Sequence, residues 1–164
     1  SSDVCSSDLV VLKSSDGKRF TIPEGAATIS GLVSGLMKDR EEASEEIPIL
    51  KVEGDVLEKV CEWLKYHNEH PHMYPNQKPE DRRKDAPVHE WDKNFCKGLD
   101  KIILFETLKA ATFMQIDMLI EATAKEIASH LVGKNYKEMG EYLGEECNYT
   151  DDELKELKNK FGMN

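Results

Sequence analysis

His67, His70, His72 and Met73 are the one group of side chains in this 164-residue chain whose types and spacing invite a metal argument. The imidazoles would have to converge on a divalent ion, which needs fixed geometry and a second shell orienting each ring. Their neighbours are Asn, Glu, Pro, Gln and Lys, which supply neither, so the expectation is a solvated loop with no metal and no cofactor. Cys5, Cys61, Cys96 and Cys147 lie far apart without a C-x-x-C pair, so neither a zinc knuckle nor a redox motif is supported, and reduced thiols are expected. Cys61 falls on the apolar side of a helical pattern and reads as a small core residue. No Gly-rich phosphate loop, G-x-S-x-G elbow or H-E-x-x-H is present, and with 32 acidic residues no carboxylate pair stands out. No catalytic residue is assigned, and the chain reads as a non-enzyme.

Charge narrows the partners. Lys plus Arg total 22 against 32 Asp plus Glu, a net charge of −10, which repels nucleic acid and anionic membrane. No apolar run approaches the ~20 residues needed to cross a bilayer, and no secretory pattern is present. The expectation is a protein of the cytoplasm and nucleus that works through contacts with other proteins. Ser-Ser-Asp occurs at residues 1–3 and again at 6–8 with no initiator Met, so residues 1–9 read as a non-native leader outside the fold.

The elements that must present any surface begin near Val10. Residues 10–13 and 19–22 are rich in β-branched and aromatic side chains and flank Ser14-Ser15-Asp16-Gly17, whose Asp-Gly suits the positive φ of a tight turn, so a β-hairpin is expected. A helix is expected over residues 26–38, weakened by Gly31 and Gly35, then an acidic solvated loop over 39–46. Residues 47–50 read as a short strand, with Pro48 marking a sheet edge. Asp55 with Glu58 resembles a capping box, and Val56, Leu57, Val60, Cys61 and Leu64 form the stripe of the helix it opens. Trp63 and Tyr66 sit off that stripe and are expected to cover the core edge. Residues 67–90, rich in Pro and charge, read as a mobile polar loop in which Arg82, Arg83 and Lys84 are solvated. From 103 to 131, Leu104, Phe105, Leu108 and Ala111, then Ile116, Leu119, Ile120, Ile127 and Leu131 recur at helical spacing, predicting two amphipathic helices broken at one short turn.

The ordered set Leu12 to Gly17, Ile47-Pro48 with Leu50, Leu57 to His67, Pro87 with Trp91-Asp92 and Phe95, Leu104-Phe105-Glu106, Ala110-Ala111 and Ile116 resembles the S-phase kinase-associated protein 1 family, the small adaptors of SCF ubiquitin ligases. The resemblance spans about Val10 to Leu154. It implies an α+β class and a BTB/POZ fold: a small, mainly N-terminal sheet with packed helices over residues 10–132, followed by a C-terminal helical extension over 133–164. The elongin C family shares the hairpin and the helix pair but looks shorter, ending near Leu131.

The extension is what separates the two families. Tyr136, Met139, Tyr142 and Leu143 form a short stripe closed by Gly144, and Thr150-x-x-Glu153 is a capping box before a last helix carrying Leu154, Leu157 and Phe161. So short an amphipathic arm must bury its stripe, either on its own domain or by helping to build an apolar groove for a partner helix. The resemblance implies the second: Phe105, Leu108, Ile120, Ile127, Leu131, Met139, Leu143 and Phe161 would form the side offered to an F-box, although each is equally compatible with an internal core. It also implies that Thr112 and Phe113 face a cullin, in place of the family's Asn-Tyr pair. Phe keeps the ring, whereas Thr cannot reproduce the amide's paired hydrogen bonding. Tyr136 replaces a common Pro, which removes a hydroxylation known in some lineages, and Phe161-Gly162-Met163-Asn164 replaces a terminal Trp-Cys. The implied function is an adaptor bridging cullin to F-box substrate receptors. An elongin C-like adaptor and a self-associating BTB scaffold, which dimerises when unpartnered, stand as alternatives.

Overall fold

The structure is a computed structural model and describes residues 9–42, 45–70, 88–147 and 152. Strands β1 (Leu9–Lys13) and β2 (Arg19–Pro23) form the expected antiparallel hairpin, with Val10 opposite Ile22 and Leu12 opposite Phe20, and Leu9, expected to belong to a leader outside the fold, instead opens β1 opposite Pro23. Val10, Leu12 and Ile22 point into the core at every second position, as strand geometry requires. The turn also reaches beyond itself. Gly17 adopts φ +92°, and the Asp16 carboxylate accepts from the Ser14 hydroxyl and from the Gly54 amide at 2.8 Å. Asp16 thereby satisfies an orphan donor at the start of a helix 38 residues away. The Ser14 hydroxyl, and after it the Gly54 amide, hold its pKa below the usual carboxylate value.

The expected single helix over 26–38 is two: α1 (Glu24–Ala27) and α2 (Gly31–Asp39). The break follows from Ser30, whose Oγ caps α2 by accepting from the Val33 amide at 3.1 Å and also donates to the Met114 carbonyl at 2.5 Å. Strand β3 (Ile47–Pro48) is shorter than expected and runs parallel to β1 at one edge of the order β2-β1-β3, where proline costs no ladder bond.

Helix α3 (Gly54–Glu69) corrects three expectations. Its N-cap is Glu53 without a side-chain cap bond, so Asp55 lies in the first turn, where it pairs with Lys18 at 3.1 Å, rather than opening a capping box. Trp63 is only 1% exposed and belongs to the core rather than its edge. His67, Asn68 and Glu69 are helical, so the polar segment starts later than residue 67, and His67 is buried. His72 and Met73 lie outside the described residues, and so do Arg82, Arg83 and Lys84.

Helix α4 (Glu90–Lys97) was not anticipated. It leads into α5 (Lys101–Met114) and α6 (Asp117–Leu131), the expected helix pair, and then α7 (Tyr136–Cys147), which continues through Gly144 instead of ending there. Asp100 caps α5 by accepting from the Ile103 amide at 2.9 Å, and Asn135 caps α7 by accepting from the Glu138 amide at 2.9 Å while its side-chain NH2 donates to the Glu138 carboxylate. The turn between α5 and α6 uses Gln115 at φ +58°, whose carbonyl accepts from the Gly31 amide at 3.1 Å.

Two apolar clusters result, and α5 serves both. Ala110, Ala111 and Met114 complete a first core with the sheet and α3, while Leu104, Phe105 and Leu108 join Ile127, Leu131 and Met139 in a second. Phe95 and Ile120 touch both.

Candidate functional sites

At the C-terminal end of α5, Thr112 is exposed and its hydroxyl donates to the Leu108 carbonyl at 2.9 Å, within its own helix. That bond occupies the hydroxyl's hydrogen, so Thr112 offers a partner little beyond a lone pair and a methyl. Phe113 is half-buried, and the Lys51 ammonium lies 5.5 Å from its ring centre. Beside it opens a cleft of about 570 Å³ between the segment leading into α3 and the outer side of α5. Its apolar lining includes Val52, Val56, Ile103 and Phe113, and Lys51, Lys109, Glu53 and Glu106 supply charges of both signs. Ile102 is 48% exposed at this cleft. This surface combines apolar area with charges of both signs, and the sequence patterns did not reveal it because its lining comes from two distant segments.

Earlier along α5 and on α6 lie the residues assigned to a receptor face. Phe105, Leu108, Ile127, Leu131 and Met139 are all buried in the second core. The apolar stripe of α5 and α6 is therefore covered rather than open in the chain by itself, because α7 lays Met139 and Tyr142 upon it. Ile120 is half-buried. The side chain of Leu143 and the whole of Phe161 lie outside what the structure describes, as does the expected last helix apart from Asp152. Val132, 74% exposed, follows the end of α6, and Gly133 turns the chain into α7 with φ +81°.

Sequence reasoning overlooked a polar node behind these surfaces. Asp92, fully buried on α4, accepts on one carboxylate oxygen from Trp63 Nε1 at 3.0 Å and lies 2.7 Å from His67 Nε2. His67 stacks on Trp63 with ring centres 3.8 Å apart, and Tyr66 stacks on Trp91 at 3.7 Å. His67, a candidate ligand on spacing alone, is thus committed to a carboxylate and an indole. The signal was present in Trp91-Asp92 but could not be decoded without its partners 29 and 25 residues away. Cys61 and Cys96 are buried, and desolvation raises both thiol pKa values to about 12.

Comparison with known proteins identifies the family. Residues 8–69 match the model for the Skp1 family, tetramerisation domain, and residues 117–162 match that for the Skp1 family, dimerisation domain. The chain is 32% identical over 149 residues to the E3 ubiquitin ligase complex SCF subunit sconC of Arthroderma otae, covering 91% of this chain and 90% of that protein. It is 31% identical over 150 residues to the SCF ubiquitin ligase complex protein SKP1a of Dictyostelium discoideum, covering 92% and 91%. With SKP1-like protein 18 of Arabidopsis thaliana it shares 30% identity over 154 residues, 93% of this chain and 94% of the other. Sequence identity of 30–32% over nine-tenths of the chain, together with the two family matches, places this protein in the Skp1 family.

Proposed function

We infer that this chain is the adaptor subunit of an SCF-type E3 ubiquitin ligase and joins a cullin to F-box substrate receptors. The observation that carries the inference is likeness along nearly the full length to relatives named as SCF subunits. The layout of α5 supports it. Thr112 and Phe113 lie at its C-terminal end, the adjoining cleft runs along its outer side from Ile102 to Phe113, and Phe105 is buried in the second core. One rigid helix thus contributes a surface suited to the cullin on its outer side and packs under the receptor side with its inner one, so both can be held at once. No chemistry is required of the adaptor: holding a receptor-bound substrate near a ubiquitin-conjugating enzyme raises the effective concentration of the reacting groups.

The cullin would meet Phe113 and the cleft, with Thr112 contributing less than an amide side chain. The receptor's helices would meet the α6–α7 side, where Tyr142 is half-buried. A homodimer of the unpartnered chain through this side is favoured by the description of residues 117–162 as a dimerisation domain. Copurification of the full chain with a recombinant F-box protein and a cullin amino-terminal domain tests the reading. One complex containing all three supports it, and failure to bind either partner refutes it.

A further inference from the structure

Tyr142 on α7 gathers charged and aromatic side chains around its ring. Its ring is approached by the Lys101 ammonium at 4.9 Å and the Lys134 ammonium at 5.6 Å, stacks with His130 at 5.6 Å and meets Phe105 at 6.3 Å. These partners come from the first turn of α5, the last turn of α6 and the turn entering α7, so one ring gathers three segments. Among the described side chains of α7, Met139 is the buried one, and the helix sets four glutamates against one lysine. A short acidic helix gains when cations from neighbouring segments offset its charge.

We propose that Tyr142, gripped by Lys101 and Lys134, is a positioning residue that keeps α7 docked on α5 and α6 and so preassembles the receptor-binding side. The proposal rests on the adaptor reading for its functional half. Its physical half stands alone: the ring quadrupole attracts two ammonium groups, and one of them sits on the flexible turn at Gly133 that sets the direction of α7. With α7 already docked, the receptor does not have to order it on binding, and affinity gains by that amount.

Hydrogen exchange of the α7 amides, read in the full chain, tests the clamp. Tyr142→Leu keeps apolar bulk but loses the ring, Lys101→Met with Lys134→Met keeps length but loses charge, and Tyr142→Phe keeps the ring face. The first two are expected to speed α7 exchange about fivefold to thirtyfold, the effect of two exposed cation–π contacts, while Tyr142→Phe stays within about twofold. Affinity for a recombinant F-box protein is expected to fall in the same order, with affinity for a cullin amino-terminal domain unchanged. Unaltered α7 exchange in the double lysine variant overturns the clamp, as does Tyr142→Phe exchanging as fast as Tyr142→Leu. Faster exchange with full F-box affinity overturns its positioning role. An unsubstituted chain that captures no F-box protein refutes the adaptor reading instead, and the exchange data still decide whether the clamp exists.

Discussion

Replacing Asp92 by Ala removes the carboxylate that accepts from buried Trp63 Nε1 and lies 2.7 Å from buried His67 Nε2. Trp63 is 1% exposed, His67 is 8% exposed and Asp92 is fully buried, so bulk water does not reach these bonds. A buried donor that loses its acceptor costs about 1–3 kcal/mol, and losing one member of a buried ion pair typically costs about 3–5 kcal/mol. Against a total stability of about 5–15 kcal/mol this is a large fraction. At about 2–4 °C per kcal/mol for a chain of this size, the melting temperature should fall by roughly 10 °C or more. Asp92→Asn keeps a side-chain oxygen as acceptor but not the charge, and since charge-assisted bonds are about twice as strong as neutral ones it should lose about half as much. Thermal unfolding followed by circular dichroism on all three proteins decides the matter. An Asp92→Ala protein melting within about 2 °C of the unsubstituted chain would refute the assignment of this node as the tie between α3 and α4. The exposed pair Lys18–Asp55 is the internal control, because solvent screens it and removing it should leave the melting temperature nearly unchanged.

Four further outcomes follow from the same physics. Cys61 and Cys96, with pKa values near 12, should resist iodoacetamide at pH 8 in the folded chain and react once it is denatured, as mass spectrometry of digested samples would show. Because burial raises these values above 9.0, the stability linked to them is complete below pH 9 and is lost as pH rises toward 12, which urea melts at pH 8 and pH 10.5 should register as a lower midpoint at the higher pH. Thr107 is fully buried with its hydroxyl oxygen unpartnered, so Thr107→Val should stabilise by about 1 kcal/mol in chemical denaturation, and a loss would show that the hydroxyl is satisfied. Gln115→Gly should stabilise by about 0.5–1 kcal/mol in the same assay, since φ +58° is costly for any residue with a Cβ; destabilisation would mean that the glutamine side chain makes a compensating contact.

Features carried by local periodicity were legible in the sequence. The alternation in β1 and β2, the Asp16-Gly17 turn and the stripes of α5 and α6 each follow from neighbours within a few residues, and the structure repeats them. What escaped depends on distant partners. The break after α1 arises because Ser30 bonds to Met114, 84 residues away, and Trp63 is interior because Asp92 receives its N–H. Helix α4 is eight residues long and mostly polar, too short for a stripe to stand out from loop composition. The candidate receptor residues were recognised as apolar and helical, but the same stripe serves a core and an interface alike, and only α7 lying over Phe105 and Leu131 distinguishes covered from open. Thr112 was identified at its turn, whereas the neighbouring cleft draws its lining from segments about 50 residues apart, such as Val52 and Ile103, and had no signature in either.

Size-exclusion chromatography with light scattering, applied to the full chain mixed with an F-box protein and a cullin amino-terminal domain, tests the central claim most directly. The account predicts one species with the summed mass of all three at 1:1:1, and loss of the cullin alone when Phe113 is replaced by Ala. Mutually exclusive binding of the two partners, or a homodimer indifferent to both, would contradict it.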